Sequence, residues 1–276
     1  VAPAVLEGTP LGVMGLRKLF RRNERANGRK TSPKVLAVWS PAGSNTARFS
    51  LELGQEIALY TTVALAELSC QGIPRLGFIS DVTEREKCAE TALLELEKTG
   101  YLSLSQLIVR SDRLALLPAS VYASPDYPVI NRISLQTLMD YPVKFSNTAR
   151  KLGYSTILFE CQGQITSPMT FFALKNADLV LLVVRDLDDL AFTLLNVRSL
   201  LQLLKAPLQK FCLVGDLDSL ALADINYLRD EEGNVLGDLT VIRPSPGEVA
   251  ELLWPQEGRQ VQEFSKKILW AGGQNG

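Results

Sequence analysis

Seven short runs of this chain are predominantly apolar and do not alternate with polar residues, and each is followed by a stretch with helical periodicity. The runs are Val35–Trp39, Val63–Leu68, Leu114–Leu117, Ser155–Phe159, Leu179–Val184, Lys210–Val214 and Leu239–Ile242. A strand that faces water on one side alternates apolar and polar residues, whereas a continuous apolar run is covered on both faces, as in a parallel sheet. Helices are predicted at about 47–59, 86–99, 131–152, 167–176, 189–204, 219–230, 246–253 and 259–270. Strand and helix alternating in this way specify an α/β fold, a doubly wound and mostly parallel sheet with helices on both faces. Ligands of such sheets bind at the carboxyl ends of the strands, so the residues just after each run are the ones to read for chemistry.

The 276 residues, 46% of them hydrophobic, can bury one large core. Residues 1–34 are predicted to be a basic extension, 35–258 the α/β domain and 259–276 a helix and tail. With 29 basic and 30 acidic residues the net charge is −1, which gives no overall attraction to nucleic acid or anionic lipid. Histidine is absent, which removes Ser-His-Asp and Cys-His catalysis. Cys70, Cys88, Cys161 and Cys212 form no C-x-x-C pair, so reduced thiols are expected in place of a zinc site. No apolar run reaches the roughly 18 residues of a membrane span. The first residues have no secretory n-region and h-region, so a cytoplasmic chain is expected.

After the first strand, Ser40-Pro-Ala-Gly43-Ser44-Asn45-Thr46-Ala47-Arg48 passes through small residues into a helix. That is the layout of a phosphate-binding loop, in which backbone N–H groups at a helix N-terminus cradle phosphates while a lysine and a hydroxyl hold phosphate and magnesium. The lysine and the paired hydroxyls are missing. After the second strand comes Ala66-Glu67-Leu-Ser69, after the fourth Glu160-Cys-Gln-Gly163, and after the sixth Val214-Gly-Asp216.

Taken together these strand ends resemble the MinD/ParA branch of P-loop ATPases, over roughly residues 35 to 255. Within it the Val38-Trp-Ser-Pro-Ala-Gly43 opening is most similar to the CpaE/TadZ pilus-assembly proteins and the actinobacterial septum-site-determining proteins. The resemblance implies ATP or ADP at Gly43, Ser44, Asn45, Thr46, Ala47, Arg48, Gly163 and Asp216. It places the first family lysine on Ala42, the second on Ala47 or Thr46, and the magnesium-binding hydroxyl on Arg48 or Ala47. Glu67 and Ser69 stand where the family has D-x-D, and Glu160 and Gly163 fill its D-x-x-G. Glu67 and Glu160 are therefore the catalytic candidates of an active enzyme, although a lone glutamate such as Glu67 is more often a helix-cap or salt-bridge residue than a catalytic one. Arg48 offers a bidentate phosphate partner but cannot ligate magnesium, so nucleotide is expected to bind weakly and no metal site is expected.

The lead expectation is a pseudo-ATPase or very weak ATPase that acts as a positioning or scaffold protein in pilus assembly or septum-site determination. The alternative is an active ATPase with a non-standard loop, in which Arg48 and Glu67 replace the usual lysine and aspartate. A homodimer and protein partners from a pilus, secretion or division machinery are implied, and DNA is not, for want of a dense Lys/Arg stripe. Two segments are candidates for peripheral membrane contact: Arg17 to Arg25, with Val13, Met14, Leu16, Leu19 and Phe20 beside it, and Phe264, Ile268, Leu269 and Trp270 near the C-terminus.

Overall fold

The computed structural model describes residues 34–43, 46–68, 74–82, 84–121, 129–163, 165–204, 210–215, 227–229, 235–238, 240–242 and 245–254. In chain order, β1 (Val35–Ser40) leads into α1 (Thr46–Ala58), β2 (Val63–Leu68), the single turn α2 (Leu76–Ile79) and α3 (Ala89–Thr99). Next come β3 (Ile108–Ser111), β4 (Leu114–Leu117), a 3-10 turn at Val129–Arg132, α4 (Leu135–Lys151) and β5 (Thr156–Gln162). Then follow α5 (Pro168–Asn176), β6 (Leu179–Val183), α6 (Leu187–Leu204) and β7 (Phe211–Val214). The described part closes with β8 (Tyr227–Arg229), β9 (Val235–Asp238), β10 (Thr240–Ile242) and α7 (Pro246–Leu253).

Among the described residues eight strands form one sheet in the order β10-β7-β6-β1-β5-β2-β4-β3, in which β3 alone runs antiparallel to its neighbour. All seven apolar runs of the sequence are in it. The sheet is covered on both faces. Leu36 and Val38 of β1 join Leu65, Leu158 and Leu181 under α1 and α7, where Leu53, Ile57, Val249 and Leu253 close the layer. Ala37 and Trp39 point the other way, into a larger core with Phe159, Leu182 and residues of α3, α4, α5 and α6. In that core Phe145 lies 5.6 Å from Phe159 and 6.1 Å from Tyr141, ring centre to ring centre. Each such buried aromatic contributes on the order of 1.5–3 kcal/mol through the area it withdraws from water.

Helix ends follow local chemistry. Ser134 caps α4 by accepting the Thr137 N–H at 3.2 Å, and Ser245 caps α7 by accepting the Glu248 N–H at 3.4 Å. At the start of α6, Asp186 accepts the Asp189 N–H at 2.9 Å, so the acidic run Asp186–Asp189 is a structural cap. Gly100 ends α3 in the left-handed region at φ 71°, where a side chain would be strained.

Among the described residues the structure departs from the sequence expectation at β8 and β9, at β3 and at α2. Residues 227–229, expected as the end of a helix over 219–230, form β8 and pair antiparallel with β9, Tyr227 opposite Asp238. The Gly233-Asn234 dipeptide between them is a hairpin signal that outweighs the helical spacing upstream. Strand β3 was not expected, because its Arg110 and Ser111 are exposed and interrupt the apolar run. The turn α2 was likewise not expected, since four residues carry no periodicity. The candidates Ser44, Asn45 and Asp216, the segment Arg17–Arg25 and the residues Phe264, Ile268, Leu269 and Trp270 lie outside the described residues.

Candidate functional site

Three strands deliver their carboxyl ends side by side. Glu160 of β5 is in register with Val38 of β1 on one side and with Glu67 of β2 on the other. Strand alternation puts Glu67 and Glu160 on the face covered by α1, and both are completely buried. A buried carboxylate needs hydrogen-bond donors, and the two find different ones.

Glu160 takes its hydrogen bond from the hydroxyl of Thr46, the first residue of α1, which is itself buried. The chain reaches Thr46 through a turn in which the Gly43 N–H donates to the Ser40 carbonyl at 3.2 Å. Gly43 has φ +83°, and a Cβ built on it would meet nothing within 4 Å, so this stretch of the loop faces open space. Beyond Thr46 the side chains diverge. Ala47 is fully buried in the core under α1, and Arg48 turns outward to Glu52, Nε to Oε1 3.2 Å, with its side chain 70% exposed.

These positions correct two expectations. The magnesium-type hydroxyl was placed on Arg48 or Ala47, but the hydroxyl that meets the β5 carboxylate belongs to Thr46. Arg48 was expected to offer its guanidinium to phosphate, and it is held by Glu52 on the solvent side of α1, because one residue after a core-facing alanine lies about 100° around the helix.

Glu67 is bound differently. Its Oε1 accepts the backbone N–H of Arg75 at 2.6 Å and of Leu76 at 3.0 Å, and its Oε2 accepts the N–H of Ala119, just past β4, at 2.8 Å. Burial pushes this carboxyl above the usual carboxylate range, the three amides pull it back, and the nearby charge of Glu90 adds to the rise. Glu90 accepts the next amide, Ser120 N–H, at 2.8 Å, and its own carboxyl is raised by burial. Glu67 thus straps the start of α2 to the end of β4. Beside the catalytic, helix-cap and salt-bridge readings open in the sequence, the bonds to the Arg75 and Leu76 amides have the geometry of a cap on α2.

Sequence reasoning missed Arg75. With its backbone N–H fixed by Glu67, its side chain reaches across to the phosphate-type loop, where Nη1 donates to the Gly43 carbonyl at 3.2 Å. No motif marks it; the only cue is a cation in the segment after the second strand, Ile73-Pro-Arg75. It also missed Trp39 as an anchor. This indole is fully buried, and its Nε1–H donates to the Gly163 carbonyl at 2.8 Å. Gly163 itself is exposed and sits at φ +73°. The β5 loop is therefore pinned to the end of β1.

Among the described residues no group of His, Cys, Asp and Glu side chains is arranged to hold a metal ion. Cys88, Cys161 and Cys212 are buried, and none of the three is in a disulfide. A cleft of about 440 Å³ lies at the opposite edge of the sheet, between the end of α1 and the β3–β4 turn, away from the loop.

Solved structures share this fold. A ParA family ATPase from Chlorobium tepidum superposes with a TM-score of 0.56 at 14% identity, over 81% of this chain and 89% of that one. The fold is that of the ParA/MinD P-loop ATPases. The MinD cell division protein of Aquifex aeolicus matches it with a TM-score of 0.52 at 15% identity, over 80% of this chain and 85% of that one. A plasmid partition protein of Borrelia burgdorferi, solved bound to AMPPNP, matches with a TM-score of 0.50 at 13% identity, over 67% and 76%. No protein-family model and no curated protein sequence matches the chain. On this fold the loop after β1, the Glu67 end of β2 and the Glu160 end of β5 lie at one edge of the sheet.

Proposed function

We propose that this chain binds nucleotide on a ParA/MinD-type fold but hydrolyses it little or not at all, and works as a positioning or scaffold protein through dimerisation and partner contacts. One observation carries the reading: Glu67 is 0% exposed and holds three backbone amides. Phosphoryl transfer to water depends on a group that orients the attacking water, and a carboxylate closed off from solvent does not do so. The side chain at Ala47, one of the two lysine positions of the resemblance, ends in the core, and Arg48 is turned away. These features favour the pseudo-ATPase reading over an active ATPase built on Arg48 and Glu67.

Binding is better supported than turnover. Gly43 leaves the loop open, α1 starts directly beyond it, and a neighbour of the same fold is a complex with AMPPNP. These features fit a nucleotide phosphate, which the loop backbone at Gly43 and the first turn of α1 would hold. Thr46 and Glu160 are the groups in place for magnesium, and each already holds the other, which favours weak metal binding. Bound nucleotide would then act as a structural ligand that favours one conformation of the scaffold. The similarity of the Trp39-Ser-Pro-Ala-Gly43 opening to pilus-assembly and septum-site proteins directs the search for partners to those machineries, at the inner face of the membrane.

Titration with a fluorescent ATP analogue, with and without magnesium, alongside a phosphate-release assay, tests this. Weak binding with no steady release is expected. Tight, magnesium-dependent binding with continuous release would overturn the pseudo-ATPase reading.

A further inference from the structure

We infer that Arg75 supplies the positive charge that the loop itself has lost, and that it is the side chain that contacts the phosphates of a bound nucleoside di- or triphosphate. The inference rests on the nucleotide-binding reading above and assigns the residue on which that binding depends. A phosphate-binding loop needs a cation because several negative charges must leave water together, and backbone dipoles alone compensate them in part. Ala47 cannot serve and Arg48 faces Glu52. Arg75 comes from another part of the chain, the segment after β2, and its guanidinium lies 3.2 Å from the Gly43 carbonyl, on the loop.

Two further features make this arrangement suited to an anion. The contact with Gly43 engages one N–H of a guanidinium that carries five, so a planar donor array remains at the mouth of the loop. The origin of the side chain is fixed as well, because the Arg75 amide is tied to the buried Glu67 carboxylate at 2.6 Å. Holding the backbone in place reduces the ordering needed when ligand arrives. Glu67 is in this way a positioning residue for Arg75, acting through the main chain.

The test is fluorescence anisotropy of methylanthraniloyl-ADP and methylanthraniloyl-ATP with the full chain and four variants, each checked for thermal stability without nucleotide. Arg75→Ala removes the whole side chain. Arg75→Gln keeps a donor for the Gly43 carbonyl without the charge, so it separates the loss of charge from any loosening of the loop. Both should weaken binding by about tenfold or more, the scale of a charge-assisted hydrogen bond. Arg75→Lys should retain a large part of the affinity, and Arg48→Ala should stay within about twofold, as expected for an exposed ion pair. If the unaltered chain binds nucleotide and Arg75→Gln binds equally well, the assignment of Arg75 is overturned while nucleotide binding stands. If the unaltered chain binds neither analogue, the nucleotide-binding reading falls and this inference falls with it.

Discussion

The carboxylate of Glu67 and the backbone amide of Arg75 are 2.6 Å apart, eight residues apart in sequence, and that bond joins the central sheet to the segment that approaches the loop. It makes Glu67 a load-sharing acceptor: Arg75, Leu76 and Ala119 all lose their acceptor if it is truncated. Leaving buried N–H groups unsatisfied costs about 1–3 kcal/mol each. Glu67→Ala is therefore expected to lower unfolding stability by on the order of 3 kcal/mol or more. Urea unfolding midpoints measure this directly. A carboxylate kept for water activation would instead be neutral to stability or relieve it when removed, and an unchanged midpoint would count against the strap.

The same residue gives a pH signature. Its folded-state carboxyl is raised, chiefly by burial, and Glu90 beside it is raised for the same reason. A raised carboxyl contributes stability that is present below its unfolded value, 4.5, and is lost as pH climbs through the folded value. The stability difference between the unaltered chain and Glu67→Gln should consequently be larger near the ordinary carboxyl range than at alkaline pH. Unfolding curves collected across that range read the slope, and a difference that grows with rising pH would contradict the assignment.

Much of this was legible in the chain. The seven apolar runs gave every strand between β1 and β7 except β3, because continuous burial on two faces writes itself directly into composition. Edge strand β3 escaped because one side of it meets water, with Val109 69% exposed and Arg110 beside it. Residues 227–229 were read as helix because Leu222, Ile225 and Leu228 recur at helical spacing, while the pairing of β8 with β9 depends on residues farther along the chain. At the site, the strand-end positions of Glu67, Glu160 and Gly163 were readable. Their partners were not. Ala119 is 52 residues from Glu67, and Gly43 is 32 from Arg75. Such contacts follow from strand order, which local patterns do not encode.

Thr46 and Glu160 form a second buried pair that a double-mutant cycle can weigh. Thr46→Val keeps the shape of the side chain and removes the donor, so the carboxylate loses a charge-assisted hydrogen bond worth about 1.5–3 kcal/mol. Glu160→Gln removes the charge and keeps an acceptor, and should cost less. The two changes together should be less damaging than their sum, with a coupling of about 1–3 kcal/mol. Additive effects would mean that the hydroxyl and the carboxylate act independently.

Trp39→Phe isolates the indole bond to Gly163. The substitution keeps a large aromatic group in the core and deletes the N–H that meets the Gly163 carbonyl at 2.8 Å. The bond itself is worth about 1 kcal/mol, and the smaller ring adds a cavity cost of similar size. The more specific effect is local: with its tether gone, the turn after β5 should exchange its amide hydrogens faster than the interior of β5. Hydrogen exchange resolved to residues 158–166 would show it, and uniform protection across that span would remove the anchoring role.

Membrane contact, if the C-terminal tail provides it, depends on a small number of side chains. Val261, Phe264, Ile268 and Leu269 fall on one helical face of the sequence, with Lys266 and Lys267 beside it and Trp270 following. An amphipathic helix of that composition would lie in the interface with its apolar face down and its lysines near anionic headgroups, and the basic stretch Arg17–Arg25 would supply the second signal that strengthens such binding. Three samples separate the contributions: the whole chain, a chain ending before Val261, and one with Arg17, Arg21, Arg22 and Arg25 changed to glutamine. Sedimented with vesicles rich in anionic lipid, both altered chains should bind less than the whole chain, and raising the salt concentration should reduce binding further, since the attraction to the headgroups is screened. If the tail serves only to pack on the sheet, truncation before Val261 will leave vesicle binding unchanged and will lower the unfolding midpoint instead.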